Sequence, residues 1–181
     1  MKATGIVRRI DELGRIVIPK EIRRTLRIRE NDPLEIFTAA DGEIILKKYS
    51  PIAELTGFAE EYAQALHGIF GHSAAIFDLE RVVAVAGSVK RQLTERRVSQ
   101  IFESWLFAKR PLNTYENPGA AIPLTREQEA VFQNQIAVPI VVNGDSVGAV
   151  ALIGEEGAIM GEREVDALKV AALYLAKQLD T

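Results

Sequence analysis

Hydrophobic and polar positions change rhythm near residue 50. Before it, short apolar runs are broken by charged pairs and turn residues. Residues 3–10 (Ala-Thr-Gly-Ile-Val-Arg-Arg-Ile) read as a short strand, and Asp11-Glu12-Leu13-Gly14 as a turn whose glycine is free to take positive φ. Arg15-Ile16-Val17-Ile18 is β-branched at three of four positions and reads as a second strand. Pro19 ends that strand and suits the start of a short helix over residues 20–26, with Ile22 and Leu26 one turn apart on its buried side. A third strand over residues 34–37 leads to Asp41-Gly42, the signal of a two-residue type I′ hairpin, and a return strand over 43–48 puts Ile44 and Leu46 on one face. Elements this short bury too little apolar area to fold alone, so an intertwined homodimer is the simplest solution.

After Ser50-Pro51 the spacing becomes helical. Ile52, Leu55, Phe58, Ala59, Tyr62, Leu66 and Ile69 predict an amphipathic linker helix over residues 52–69, able to pack against its copy in a partner chain. Strands are expected over 72–77 and 82–86. A helix is expected over 94–107, with Val98, Ile101, Trp105 and Leu106 inward. Residues 109–126 hold three of the seven prolines and read as irregular structure with short strands. Strands over 135–142 and 146–153 flank the turn Asn143-Gly144-Asp145, with Gly148 allowing close backbone approach. The last helix spans 162–179, with Val165, Leu168, Ala172, Leu175 and Leu179 three and four apart. This order predicts an α+β domain with a mostly antiparallel sheet and helices on one face. The last helix either covers that sheet or joins subunits.

Charge sharpens the division. The net charge of the 181 residues is −3. Yet residues 1–29 carry nine basic against three acidic side chains, and residues 53–181 carry eleven against seventeen. Seven of the nine basic residues are arginines, whose planar fork suits phosphates and guanine edges. A solvated charged face would explain one copy of this segment. Two copies on one small body make a polyanion the expected partner.

The run Asp11-x-Leu13-Gly14-Arg15-Ile16-Val17-Ile18-Pro19-Lys20-Glu21-Ile22-Arg23-Arg24-x-Leu26-x-Ile28 resembles the AbrB-type swapped-hairpin DNA-binding domain. The resemblance continues through Asp32-Pro33-Leu34-Glu35-Ile36 and residues 41–49, with Asn31 standing where the family usually has glycine. It implies that two chains interleave hairpins over residues 1–50 into one β-rich barrel that binds AT-leaning double-stranded DNA. Arg8, Arg15, Arg23 and Arg24 match the family's DNA-contacting positions. Lys2, Arg9, Lys20 and Arg27 are supporting phosphate contacts on charge alone. The bland alternative for each is a salt bridge with Asp11, Glu12 or Glu21 inside the dimer.

Residues 71–181 resemble the GAF family of small-molecule-sensing domains, through Val138-Pro139-Ile140, Gly144, Val147-Gly148-Ala149-Val150 and the last helix. Joined to an AbrB-type domain, with residues 51–70 as linker, it is similar to regulators of late, forespore-stage sporulation genes. That resemblance implies activation and repression from a homotetramer assembled through the C-terminal half. An unidentified small molecule would fit between the sheet and residues 109–130. Alternatives are an oligomeric protein-interaction module or an antitoxin-like DNA-binding autoregulator, although the long patterned second half argues against a simple antitoxin. The chain has no cysteine and only two histidines, His67 and His72, so no metal site, cofactor or catalytic constellation is expected. No signal peptide or transmembrane run is read, and a cytoplasmic location is expected.

Overall fold

The computed structural model describes residues 5–30, 32–126 and 128–179. Lys2 and Asn31 lie outside the described residues. The chain divides into two compact units, Met1–Tyr49 and Ser50–Thr181.

In the first unit, Pro19 (φ −58°) opens α1 (Lys20–Leu26). Arg27 ends the helix in the left-handed region, at φ 55°, and the Ile28 N–H closes the cap by donating to the Arg23 carbonyl at 2.7 Å. The strands β1 (Leu34–Thr38) and β2 (Ile44–Lys48) pair antiparallel, Ile36 opposite Leu46. Their connection corrects the expected type I′ turn. The Gly42 N–H donates to the Ala39 carbonyl at 3.0 Å, and Gly42 is left-handed at φ 83° while Asp41 is not. A type I′ turn needs positive φ at both central residues; here the Ala39 N–H also donates to the Glu43 carbonyl at 3.0 Å, so the loop is one residue longer and ends in one left-handed glycine.

The expected strands within residues 5–10 and 15–18 do not form in the single chain. A strand exists by its ladder, and β1 and β2 pair with each other and not with these segments. Their apolar side chains are left in solvent: Val7 is 83% exposed and Val17 72%. The buried side assigned to Leu26 is likewise open, and α1 has no buried residue.

In the second unit Ser50 caps α2 (Pro51–Glu54), accepting the Ala53 N–H, and α3 (Thr56–Phe70) follows after a break at Leu55. The expected single helix over 52–69 is therefore two, and α3 packs on its own sheet. The sheet contains β3 (Ser73–Asp78), β4 (Val82–Ala86), β5 (Leu112–Asn113), β6 (Asn134–Val142) and β7 (Asp145–Gly154). All pairings are antiparallel in the order β4-β3-β7-β6-β5. Asn143 and Gly144 both take positive φ (50° and 86°), the geometry of a type I′ hairpin between β6 and β7.

Helices cover both faces rather than one. On the first face α3 and α6 (Glu162–Leu179) enclose Ile76, Val150, Leu152 and Ile136. On the second, α5 (Gln100–Ala108) and the segment after it enclose Phe77, Ile153 and Leu124. The expected helix over 94–107 is an extended stretch followed by α5, and α4 (Lys90–Leu93) precedes it. Ser99 caps α5 by accepting the Phe102 N–H at 2.9 Å. Starting the helix at Gln100 turns Phe102 and Leu106 inward, leaving Ile101 54% exposed.

Gly148 sits where β7 crosses β3. A Cβ there would lie 2.0 Å from the Phe77 carbonyl oxygen and 2.4 Å from Ile52 Cδ1. Gly148→Ala must spread the β3–β7 ladder, and a loss of about 2–3 kcal/mol is expected. Thermal unfolding checks it; an unchanged Tm would show that the sheet yields freely there.

Candidate nucleic-acid interface

The residue types that select phosphate cluster on the first unit, and local hydrogen bonds decide how each is presented. The turn before Arg15 is organised by one carboxylate. Asp11 Oδ1 accepts the N–H groups of Leu13 (3.0 Å) and Arg15 (2.8 Å), while Oδ2 accepts Arg15 Nε at 2.7 Å. The Arg15 backbone N–H, followed by its guanidinium and the Leu13 N–H, holds the Asp11 carboxyl below the usual aspartate range. Arg15 thus pairs with Asp11 of its own chain, where the bland alternative was a salt bridge inside the dimer. Its side chain is nevertheless 70% exposed.

Arg8 donates to the Val7 carbonyl at 3.2 Å and is exposed, as is Arg9. On α1, Lys20 and Arg24 are exposed and Arg23 is half-buried. Among the described residues, no carboxylate lies within salt-bridge range of Arg8, Arg9, Lys20, Arg23 or Arg24. Arg27 is half-buried, and its backbone serves as the helix cap. Lys20, Arg23 and Arg24 are brought together on α1, the arginines three and four positions after the lysine; among the described residues no bond joins Arg8 or Arg15 to them.

The second unit holds polar anchors that the residue pattern does not announce. Asp78 is buried and accepts from Ser50 Oγ (2.8 Å) and from the N–H groups of Glu80 and Arg81 (both 2.7 Å). Gln135, fully buried, ties the irregular segment to the sheet by donating to the carbonyls of Ile122 (2.8 Å) and Phe132 (2.6 Å). The space between the sheet and residues 109–130 is filled by side chains including Leu112, Leu124 and Phe102. A shallow groove of about 280 Å³ lies instead between α3 and β4, and a smaller one of about 190 Å³ is bounded by Tyr115, Asn134 and Met160. Of the histidines, the His67 ring nitrogen Nδ1 lies 2.8 Å from the His72 carbonyl, a contact at the end of α3. Among the described residues no three metal-ligating side chains converge, and no helix is long and apolar enough to cross a membrane.

Comparison with known proteins defines the class first. Residues 7–54 match the family described as antidote-toxin recognition MazE, bacterial antitoxin. Over 51 residues the chain is 67% identical to transition state regulatory protein AbrB of Bacillus subtilis (strain 168), covering 28% of this chain and 52% of that protein. The GAF domain of a phosphoenolpyruvate-protein phosphotransferase from Coxiella burnetii matches with a TM-score of 0.56 at 16% identity, over 69% of this chain and 82% of that one. The architecture is thus an AbrB-type domain followed by a GAF fold, with no closed barrel in the single chain.

Residues 54–180 match the family described as stage V sporulation protein T C-terminal, transcription factor. The whole chain is 48% identical over 180 residues to stage V sporulation protein T of Bacillus subtilis (strain 168), covering 99% of each. The chain belongs to the stage V sporulation protein T family.

The Asp11 turn carries a pH signature. Because the folded carboxyl titrates below its unfolded value, its contribution is present above the ordinary aspartate pKa of about 3.9 and is lost as pH falls through the lower folded value. An NMR titration of the Asp11 carboxyl should give a midpoint below that of a free aspartate. A midpoint at or above it would remove the Arg15 clamp.

Proposed function

We propose that this chain is a transcriptional regulator, activator and repressor, of late, forespore-stage sporulation genes. It binds AT-rich duplex DNA as an oligomer and acts in the cytoplasm of the forespore. One observation carries this reading: Arg8, Arg9, Arg23 and Arg24, which have no described carboxylate in salt-bridge range, sit on a unit whose apolar side chains find no core of their own. A second copy buries those side chains and doubles the cationic charge on one body. Arg8, Arg15, Arg23 and Arg24 are the principal contacts, with Lys2, Arg9, Lys20 and Arg27 in support. Arg15, pre-oriented by Asp11, is the best placed for a defined hydrogen bond, and the others position the body on phosphates. No catalytic role is assigned.

The second domain joins dimers into a tetramer through α3 and α6. Phe58, Tyr62 and Tyr174 stack there with ring centroids 5.7–6.4 Å apart. Beside them Val170 is 64% and Leu173 60% exposed. A small molecule bound by this domain would act on DNA affinity only by preferring one arrangement of the DNA-binding bodies over another. The larger groove, about 280 Å³, sits at the lower end of the roughly 300–1,000 Å³ typical of ligand pockets, and the smaller one lies below it.

Two experiments test the reading. A salt titration of affinity for AT-rich duplex should be steep, and each of Arg8→Ala, Arg15→Ala, Arg23→Ala and Arg24→Ala should reduce the log–log slope by about one. Intact protein without salt-dependent binding would refute it. In sedimentation, Val170→Glu combined with Leu173→Glu should convert tetramer to dimer by burying charge in an apolar contact; an unchanged tetramer would place the interface elsewhere.

A further inference from the structure

The second domain is acidic overall, but six of the eleven basic residues between 53 and 181 are Arg81, Lys90, Arg91, Arg96, Arg97 and Arg126. Three of these are set in one row by the backbone. Arg81 and Arg97 are antiparallel bridge partners, and Val98 bridges Thr125, which brings Arg126 opposite Arg97. The Arg126 N–H donates to the Arg97 carbonyl at 3.0 Å, and the Val82 N–H to the Arg96 carbonyl at 2.9 Å. Residues directly opposite across antiparallel backbones project from the same face, and like charges so placed repel.

Little offsets that repulsion. All three side chains are exposed. Among the described residues no carboxylate reaches Arg97 or Arg126, and Arg81 meets Asp78 only at 3.9 Å. Arg126 Nε donates to the Val98 carbonyl at 3.1 Å, which fixes the guanidinium while leaving its Nη groups to donate elsewhere. Glu95, at φ 59°, holds a left-handed conformation costly for a residue with a side chain, in the turn that delivers Arg96 and Arg97. Arg81 and Lys90 share the groove beside β4, whose walls also carry Glu60 and Glu95.

A row of mutually repelling cations on an open surface suits a repeating anion. Small ligands are held in enclosed, concave sites, whereas backbone phosphates recur along a strand and each accepts a cation's hydrogen bonds. We infer that the Arg81, Arg97 and Arg126 row is a second phosphate-binding surface, which holds the backbone of duplex DNA flanking the segment bound by residues 1–50. The inference rests on the reading of the chain as a DNA-binding regulator, and it gives the second domain a direct part in the DNA footprint.

The test uses the full chain and two duplexes with the same AT-rich centre, one covering only the N-terminal body and one extended by a helical turn on each side. On the extended duplex, Arg81→Gln/Arg97→Gln/Arg126→Gln should lower the slope of log affinity against log salt by about two to three, and on the short duplex it should match wild type. The corresponding triple lysine variant should retain the wild-type slope. If the glutamine variant loses its melting transition, Arg97→Gln alone decides, with a slope change of about one on the extended duplex. Equal slopes for wild type and variant on the extended duplex would overturn the inference. So would a variant that loses only a thermal shift produced by pyrophosphate, which would assign the row to a small anion. Arg23→Ala/Arg24→Ala separates the two readings: if it leaves both duplexes bound as in wild type while the row variant loses binding, the N-terminal assignment fails and this one stands.

Discussion

Everything in this molecule depends on a shortage of buried apolar surface in its first forty-nine residues. Among the described hydrophobic residues of that unit, none is buried as a core residue would be, and Val7, Ile10, Leu13, Ile16, Val17, Leu26, Ile36 and Ile44 are each more than half exposed. Fully burying one such side chain is worth about 1.5–3 kcal/mol. A unit that forgoes that gain at eight positions cannot offset the conformational entropy of ordering its chain. A second copy supplies both the missing surface and the missing strand partners. Pairing with a second copy is then a condition of folding for this unit.

The contrast with the second domain is instructive. There the sheet is covered on both faces, and the buried polar groups named above have partners: Asp78 is held by Ser50 and two backbone N–H groups, and Gln135 by the carbonyls of Ile122 and Phe132. Such a domain is complete within one chain and can serve as a rigid platform. Function is divided accordingly. The incomplete unit carries the densest positive charge, and the complete one carries the exposed α6 face and the arginine row beside β4.

Legibility in the sequence followed the range of the interactions involved. The hairpin at Asn143-Gly144, the helix over residues 162–179 and the opening of α1 after Pro19 rest on local chemistry, and each was readable from the residues alone; the close approach at Gly148 was readable as a glycine in a strand, but not what it approaches. Non-local bonds misled the pattern. Residues 94–107 have helical spacing, but Arg97 pairs with Arg81 and Val98 with Thr125, so the helix waits for the Ser99 cap. Asp41-Gly42 is a local exception: it carries a type I′ signature, yet the Ala39 bonds to Gly42 and Glu43 set a different turn. Helices on both faces of the sheet could not be inferred, because strand order is invisible until β7 is seen between β3 and β6. The arginines were visible as charge and Asp11 as a possible salt-bridge partner across the dimer, but not that Asp11 would clamp Arg15 of its own chain, since an acidic residue four positions before an arginine signals many things.

Amide hydrogen exchange on the intact protein, with and without an AT-rich duplex, tests the central claim most directly. If residues 1–50 fold by pairing with a second chain, the amides of Val7, Arg8, Val17 and Ile18 will be strongly protected in the free protein, although one chain offers them no ladder. Adding duplex will then slow exchange further around Arg8, Arg15 and Arg23. Rapid exchange at those amides in concentrated protein, unchanged by DNA, would contradict the account.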